Sequence, residues 1–270
     1  MSAIKVPNHY MMRGNACPTE DQLRATVPSI FATAPAEHVS NRYGFVSTSA
    51  IIDVMTASGY QVVQARGGLR KGSREHGLHE VRLRMKDQKI SLHETFPEIV
   101  LLNSHNATSA AILHMGMYRQ ICLNGLVVGN SFETAFRVSH VGDPRESVVT
   151  AAQHLMNSAP RLTETITKWS ERALTDAEVT EFATRALTLR NLQDRSVMVQ
   201  TITGARRTAD AKNNLWNVFN RIQENITGGG IATVNNDTGR VSRTRAMRAV
   251  KPLIELNTKL WDMASEFLPS

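Results

Sequence analysis

The feature that most constrains the fold is a series of short apolar runs between Tyr60 and Val141. Each run is rich in β-branched or other apolar residues and is separated from the next by Gly, Asn or Ser, which is typical of an antiparallel sheet. The runs are YQVVQAR, HEVRLRMK, EIVLLNSH, AAILHMGMYRQ, GLVVG and AFRVSHV. The periodicity of AAILHMGMYRQICLNG is also compatible with a helix. We interpret this run as a strand.

Amphipathic helices are predicted on both sides of these runs. Thr19 begins a capping-box pattern that predicts a helix over about residues 20–33, with Pro28 expected to bend it. Asp143 and the residues after it have the composition of a helix start. Apolar residues then recur at helical spacing until about residue 267.

Together these patterns predict an α+β protein. An antiparallel sheet with packed helices is expected in the N-terminal half, followed by an all-helical C-terminal half. We place the boundary between residues 142 and 143, so the α+β unit spans 19–142 and the helical unit spans 143–270. The first 18 residues (1–18) lack periodicity and are expected to form a flexible arm.

The positive charge of the chain is concentrated in two windows. With 31 Lys and Arg residues against 24 Asp and Glu, the chain has a net charge of +7 and a sequence pI near 9.7. Residues 66–89 contain eight basic and three acidic side chains, and residues 240–251 contain five basic side chains and no acidic one. The two windows carry all of the excess positive charge, which favours a polyanionic partner.

In the run HEVRLRMK, the apolar residues Val81, Leu83 and Met85 alternate with three cations. A half-buried strand places alternate residues on opposite faces, so the cations are expected to form a ladder on an open face. The second window is interpreted as a helix. The predicted nucleic-acid-binding residues are Arg66, Arg70, Lys71, Arg74, Arg82, Arg84, Lys86, Arg243, Arg245 and Arg248.

Histidines allow an alternative, a metal-dependent nuclease that uses His76, His79, His105 and Glu98. On a strand or loop, however, the spacing of His76 and His79 does not identify a metal site, and two cysteines do not provide a zinc framework. The chain also lacks a glycine-rich loop followed by the Lys and Ser or Thr that bind nucleotide phosphates. We therefore expect a non-enzymatic protein without a metal or cofactor.

No apolar run approaches the roughly 18 to 20 residues that are needed to span a bilayer. The N-terminal sequence lacks the pattern of a secretory signal peptide. Two cysteines, Cys17 and Cys122, do not form a disulfide framework. We therefore expect a cytoplasmic protein with reduced thiols.

A set of short segments gives the chain a family resemblance. They are Arg42-Tyr43, Glu75-His76, His79, Arg82-Leu83-Arg84, Pro97-Glu98-Ile99, Leu101-Leu102-Asn103-Ser104-His105, Cys122, Asn124-Gly125-Leu126-Val127, Arg221, Gln223-Glu224-Asn225, Thr244-Arg245-Ala246, Arg248 and Leu260-Trp261. On these segments the chain resembles the YafZ/YfjQ-type family of prophage and plasmid proteins over nearly its whole length. The resemblance implies a mobile-element setting and assigns no reaction. The predicted layout is also similar to the DNA-binding core of ring-forming single-strand annealing proteins.

Charge and resemblance together predict a phage or plasmid DNA-binding protein. We expect it to bind or anneal single-stranded DNA in recombination or replication, and to work as a homo-oligomer. One alternative is a mobile-element protein that binds and inhibits a host nuclease or defence factor; such a protein would bind its partner tightly and DNA weakly. The nuclease that uses the three histidines and Glu98 is the other alternative.

Overall fold

The computed structural model describes residues 9–11, 17–68, 74–87, 95–119, 124–127, 135–138, 144–192 and 195–268. The predicted α+β class is confirmed, with an antiparallel sheet and helices in the N-terminal half and helices in the C-terminal half. The elements in chain order are β1 (His9–Met11), α1 (Glu20–Thr26), α2 (Thr48–Ala57), β2 (Tyr60–Gly67), β3 (His79–Met85), β4 (Thr95–Asn103), β5 (Ile112–Arg119), β6 (Asn124–Val127), β7 (Ala135–Arg137), α3 (Pro144–Asn157), α4 (Ala159–Glu171), α5 (Asp176–Thr188), β8 (Arg195–Ser196), α6 (Gln200–Thr203), α7 (Leu215–Gly228), β9 (Ala232–Asn235), β10 (Val241–Arg243) and α8 (Val250–Ser265).

The chain forms two compact units. The first contains β1 to β5, β7 and α1 to α3, and the second contains β6, α4 to α8 and β8 to β10. The predicted boundary at residues 142 and 143 lies outside the described residues. Helix α3, which follows that boundary in the chain, packs in the first unit against α2 and β4.

The sheet of the first unit has the strand order β1-β2-β3-β4-β5, with β7 also paired to β5. Strand β3 lies antiparallel to β2 and β4, and the register places Val81 opposite Ala65 on one side and Leu101 on the other. Residues 79–84 of β3 are all buried. Both faces of this strand are therefore covered, as in the centre of a protein core.

The first predicted helix is shorter than expected. Thr19 caps α1 through its hydroxyl and forms a full capping box with Gln22, as the sequence pattern indicates. The helix ends at Thr26, and a single 3₁₀ turn follows over Pro28–Phe31. Pro28 has no amide hydrogen for the helix and restricts the residue before it, so it divides the predicted helix into two pieces.

The helices of the second unit pack around an aromatic core. Trp169, Trp216, Phe219 and Trp261 are buried, and the rings of Trp169 and Trp261 are 4.4 Å apart between centroids. Within the described part of the chain, no helix combines the length and apolar composition needed to cross a membrane.

The second unit also contains a small antiparallel sheet with the order β10-β9-β8. Its strands are only two to four residues long, too short for a strand period to be visible in the sequence. The cations of the second window recur three to five residues apart, a spacing that also fits a helix. The chain instead forms a β-hairpin there.

Candidate nucleic-acid interface

The cations predicted in the first unit have different environments. Arg70 and Lys71 lie outside the described residues. Arg74 and Lys86 are exposed, whereas Arg66 is only partly exposed. Burial lowers the pKa of the Arg66 guanidinium, and the nearby Glu80 carboxylate partly offsets this effect.

The predicted open ladder of cations on β3 is wrong for Arg82 and Arg84. Only 2% of Arg82 and 8% of Arg84 are accessible to solvent. Arg82 Nε lies 2.6 Å from Glu80 Oε1, and Arg82 Nη1 lies 3.4 Å from Glu98 Oε2. Arg84 Nη2 lies 2.6 Å from Glu98 Oε1. The two guanidinium groups belong to a buried ionic network with two carboxylates.

Aromatic rings complete the environment of Arg84. Its guanidinium carbon is 4.3 Å from the centre of the Phe96 ring and 4.7 Å from the centre of the Tyr118 ring. The ring faces carry partial negative charge and attract the cation. Alternation along β3 correctly predicts that the cations share a face, but it does not tell whether that face is covered.

A second buried polar cluster joins α2 to the sheet. Thr48 Oγ1 lies 2.8 Å from His79 Nε2 and 3.4 Å from His105 Nε2, and Asn103 donates its side-chain amide to Thr48 at 2.9 Å. His79 Nδ1 donates to the carbonyl of Gly77, so Nε2 accepts from the Thr48 hydroxyl. Burial lowers the pKa of His79 to about 3 and that of His105 to about 4. Both imidazoles are therefore neutral near pH 7.

Glu98 lies on the opposite face of the sheet from His79. His79 and Leu83 share one face of β3, and the side chains that bond to Glu98, those of Arg82 and Arg84, occupy the other. The structure therefore does not bring Glu98 together with the histidines of the predicted nuclease. Among the residues that the structure describes, no three His, Cys, Asp or Glu side chains are grouped as a cation site requires.

The second window of cations is exposed. We call residues 240–251 the basic segment; its cations Arg240, Arg243, Arg245, Arg248 and Lys251 are all exposed. No acidic residue occurs between Asp237 and Glu255. In the described chain, no ion pair involves any of the five cations. Their charge is available to an external anion.

A hairpin presents the first two cations of the basic segment. Strands β9 and β10 are joined by a turn in which Asn235 Oδ1 accepts hydrogen bonds from the amide and hydroxyl of Thr238, each at 2.7 Å. Gly239 has a φ of +64°, which glycine adopts without strain. The Asn235 amide donates to the carbonyl of Arg240 at 3.0 Å and closes the turn. The hydrogen bonds of the turn thus hold Arg240 at the start of β10.

The end of α7 fixes the rest of the basic segment. The amide of Gly230 donates to the Thr244 carbonyl at 2.8 Å, and the amide of Met247 donates to the Thr227 carbonyl at 2.8 Å. Arg190 Nη2 donates to the carbonyl of Arg245 at 2.9 Å. These bonds hold the backbone and leave the cationic side chains exposed.

Gly229 is required where the basic segment crosses the end of α7. Its φ is +71° and its ψ is −163°, and a Cβ atom there would lie 2.5 Å from the carbonyl carbon of Arg245 and from the amide nitrogen of Ala246. Gly229, the middle one of three consecutive glycines, therefore allows a close approach of two backbone segments.

Replacing Gly229 with alanine is expected to lower the free energy of unfolding by more than about 2 kcal/mol, because it adds a backbone clash to backbone strain. Gly230→Ala is the matched control. Gly230 has a φ of +81°, but nothing lies within 4 Å of the Cβ position, so only strain is added and a loss of about 1 kcal/mol is expected. Urea unfolding measures both values. Equal losses in the two variants would contradict the close approach.

Sequence reasoning found the cations of the basic segment but missed its hairpin. The Asn-Asn-Asp-Thr-Gly run of residues 235–239 is a turn signal of the kind that joins two strands. Val234 and Val241 flank this turn.

Comparisons with known proteins place the chain among its relatives. The model of the family described as "Domain of unknown function (DUF932)" matches residues 35–261. The chain is 36% identical over 253 residues to UPF0380 protein YafZ of Escherichia coli strain K12, covering 93% of this chain and 91% of the relative. It is 35% identical over 256 residues to UPF0380 protein YfjQ of the same organism, with the same coverage. No solved structure matches the chain.

Proposed function

The chain belongs to the DUF932 family, in which it is similar to the YafZ and YfjQ proteins, and we propose that it binds single-stranded DNA through the basic segment of its second unit. The observation that carries this proposal is the group of five exposed cations with no acidic residue among them. Unpaired cations held close together repel one another, and bound phosphates relieve that repulsion.

The start of α8 adds to the attraction for phosphate. Ala249 occupies the N-cap position, where its methyl side chain accepts no hydrogen bond from the helix amides. Lys251 and Arg248 flank this positive end of the helix dipole, where cations are unfavourable and anions are favourable. A phosphate at this position would accept hydrogen bonds from helix amides and neutralise both side chains.

Cations of the first unit are proposed to give additional phosphate contacts. Arg74 and Lys86 are exposed, Arg66 is partly exposed, and Arg70 and Lys71 belong to the same window of the sequence. Arg82 and Arg84 have no part in this proposal, because their charges are neutralised by Glu80 and Glu98.

The biological setting is proposed from the resemblance to prophage and plasmid proteins. In that setting the protein would act in the cytoplasm as a homo-oligomer that binds or anneals single strands during recombination or replication. Mass photometry of the protein with and without oligonucleotide tests the oligomer. A monomer under both conditions would remove the oligomeric part of the proposal.

The test of DNA binding is the salt dependence of affinity. Fluorescence anisotropy of a labelled 30-nucleotide dT strand is measured at 50 and 200 mM salt. Counterion release predicts a slope of about 0.7 per phosphate contact, so the five contacts of the basic segment alone predict an affinity loss of at least about 100-fold between these concentrations. Salt-insensitive binding would contradict the proposal. The absence of binding at both concentrations would instead indicate a protein partner.

A further inference from the structure

Beside its cations, the hairpin of the second unit exposes an apolar pair. Val241 on β10 lies directly opposite Val234 on β9. Val241 is 70% exposed and Val234 is 39% exposed, although β-branched side chains in a strand are most often covered. The hairpin thus has an uncovered apolar surface on one face.

The other face of the hairpin is occupied by the protein itself. Thr233 is buried, and its hydroxyl lies 2.9 Å from the hydroxyl of Ser242 across the two strands. Arg195 donates to the Ser242 hydroxyl at 2.8 Å. Since alternate residues of a strand point to opposite faces, Val234 and Val241 are directed away from this hydrogen-bonded side.

Cations border the apolar pair along β10. Arg243 follows Val241 by two residues and therefore shares its face, whereas Arg240 is an exposed residue at the end of the turn that directly precedes Val241. Arg243 Nη1 donates to the carbonyl of Gly230 at 2.9 Å, which keeps its guanidinium at the edge of the hairpin. An apolar pair with cations beside it fits a ligand that has apolar groups and regularly spaced anionic groups.

We infer that Val234 and Val241 contact the bases of an unpaired DNA strand while Arg240 and Arg243 bind its phosphates. In a duplex the base faces are stacked inside and the phosphates are outside, so the two valines would find few accessible base faces to contact. In a single strand the base faces are open, and covering them contributes affinity without requiring a particular sequence. The inference rests on the proposed binding of DNA by the basic segment and adds the reason for a single-strand preference.

The test compares three labelled probes with the full-length protein at 50 mM salt. They are a 20-nucleotide dT strand, a 20-unit abasic strand with the same phosphates, and a 20-base-pair dA·dT duplex. The wild type is expected to bind the dT strand about 10-fold more tightly than the abasic strand, because only the former presents bases. The duplex should bind more weakly than the dT strand.

The variant that tests the apolar pair is Val234→Thr/Val241→Thr. Threonine keeps the β-branched shape and replaces one exposed methyl by a hydroxyl, so the hairpin is retained. We expect an affinity loss of about 5-fold for the dT strand and of less than about 2-fold for the abasic strand. Met85→Thr, at an exposed apolar residue of the first unit, is the control and should change neither value.

The outcomes separate the inference from the proposed function. Equal wild-type affinity for the dT and abasic strands, or tighter binding of the duplex, would overturn the base contact while leaving phosphate binding intact. A variant that binds the dT strand and the abasic strand with equally reduced affinity would also overturn the base contact. So would a variant that has unchanged DNA affinity but a different oligomeric state by mass photometry. Failure to bind any of the three probes would remove the proposed function itself.

Discussion

Replacing Glu98 with alanine is expected to lower the free energy of unfolding by about 3 to 5 kcal/mol. Glu98 is fully buried and receives hydrogen bonds from both Arg82 and Arg84. Without its carboxylate, the guanidinium of Arg84 would lie against two aromatic rings with no negative partner among the described residues. This loss in the free energy of unfolding arises because a desolvated cation is left unpaired. It is larger than the net contribution of the ion pair to stability.

Urea unfolding followed by circular dichroism measures this loss. The matched control is Glu20→Ala, which removes an exposed i,i+4 partner of Arg24 and is expected to cost less than about 1 kcal/mol. Glu98→Gln keeps the shape of the side chain and removes its charge. The free energy of unfolding that it loses should therefore lie between the losses of Glu20→Ala and Glu98→Ala. A Glu98→Ala loss no larger than that of the control would contradict the buried network.

Removing four cations from the basic segment is expected to weaken binding of single-stranded DNA at least about 100-fold at 50 mM salt, because the phosphate contacts of these four cations are lost. The variant carries serine at four positions: Arg240, Arg243, Arg245 and Arg248. All four side chains are exposed, none forms an ion pair with a described residue, and the loss of the Arg243 hydrogen bond to the Gly230 carbonyl leaves the backbone bonds of the segment in place, so the fold should be retained. Anisotropy with the labelled dT strand gives the affinity.

A control with the same change in net charge distinguishes a local site from general attraction. Serine at four other exposed positions, Arg42, Arg161, Lys168 and Lys259, also removes four positive charges. If the basic segment is the site, this control should lose less than about 5-fold, since it affects only long-range attraction that salt screens. Equal losses in the two variants would mean that net charge alone attracts DNA.

The sheet of the first unit could be predicted from its apolar runs because the strand period is visible along the chain. In β3, Val81 and Leu83 alternate with Arg82 and Arg84, and the two pairs lie on opposite faces of the sheet. The environment of the cations could not be predicted in the same way. Their partner Glu98 is on another strand and becomes a neighbour only through the register of β3 with β4.

For the basic segment, the charge could be predicted and the backbone structure could not. Its charge is a property of composition, so the cations could be identified without any structure. The hairpin depends on turn hydrogen bonds of Asn235 and on the approach of the Arg245 backbone to Gly229. The turn bonds are local and their residues form a turn signal, but the approach to Gly229 joins residues that are distant in the sequence and leaves only a weak signal, and short strands give too few residues to reveal a period.

The most direct test of the central claim is the slope of log affinity against log salt for the wild type and for the variant with serine at Arg240, Arg243, Arg245 and Arg248. Binding by the basic segment predicts a slope of at least about 3.5 for the wild type and a slope lower by about 2.8 for the variant, which loses four contacts of about 0.7 each, with the equal-charge control close to the wild type. A variant slope equal to that of the wild type would contradict the claim that this segment holds the phosphates.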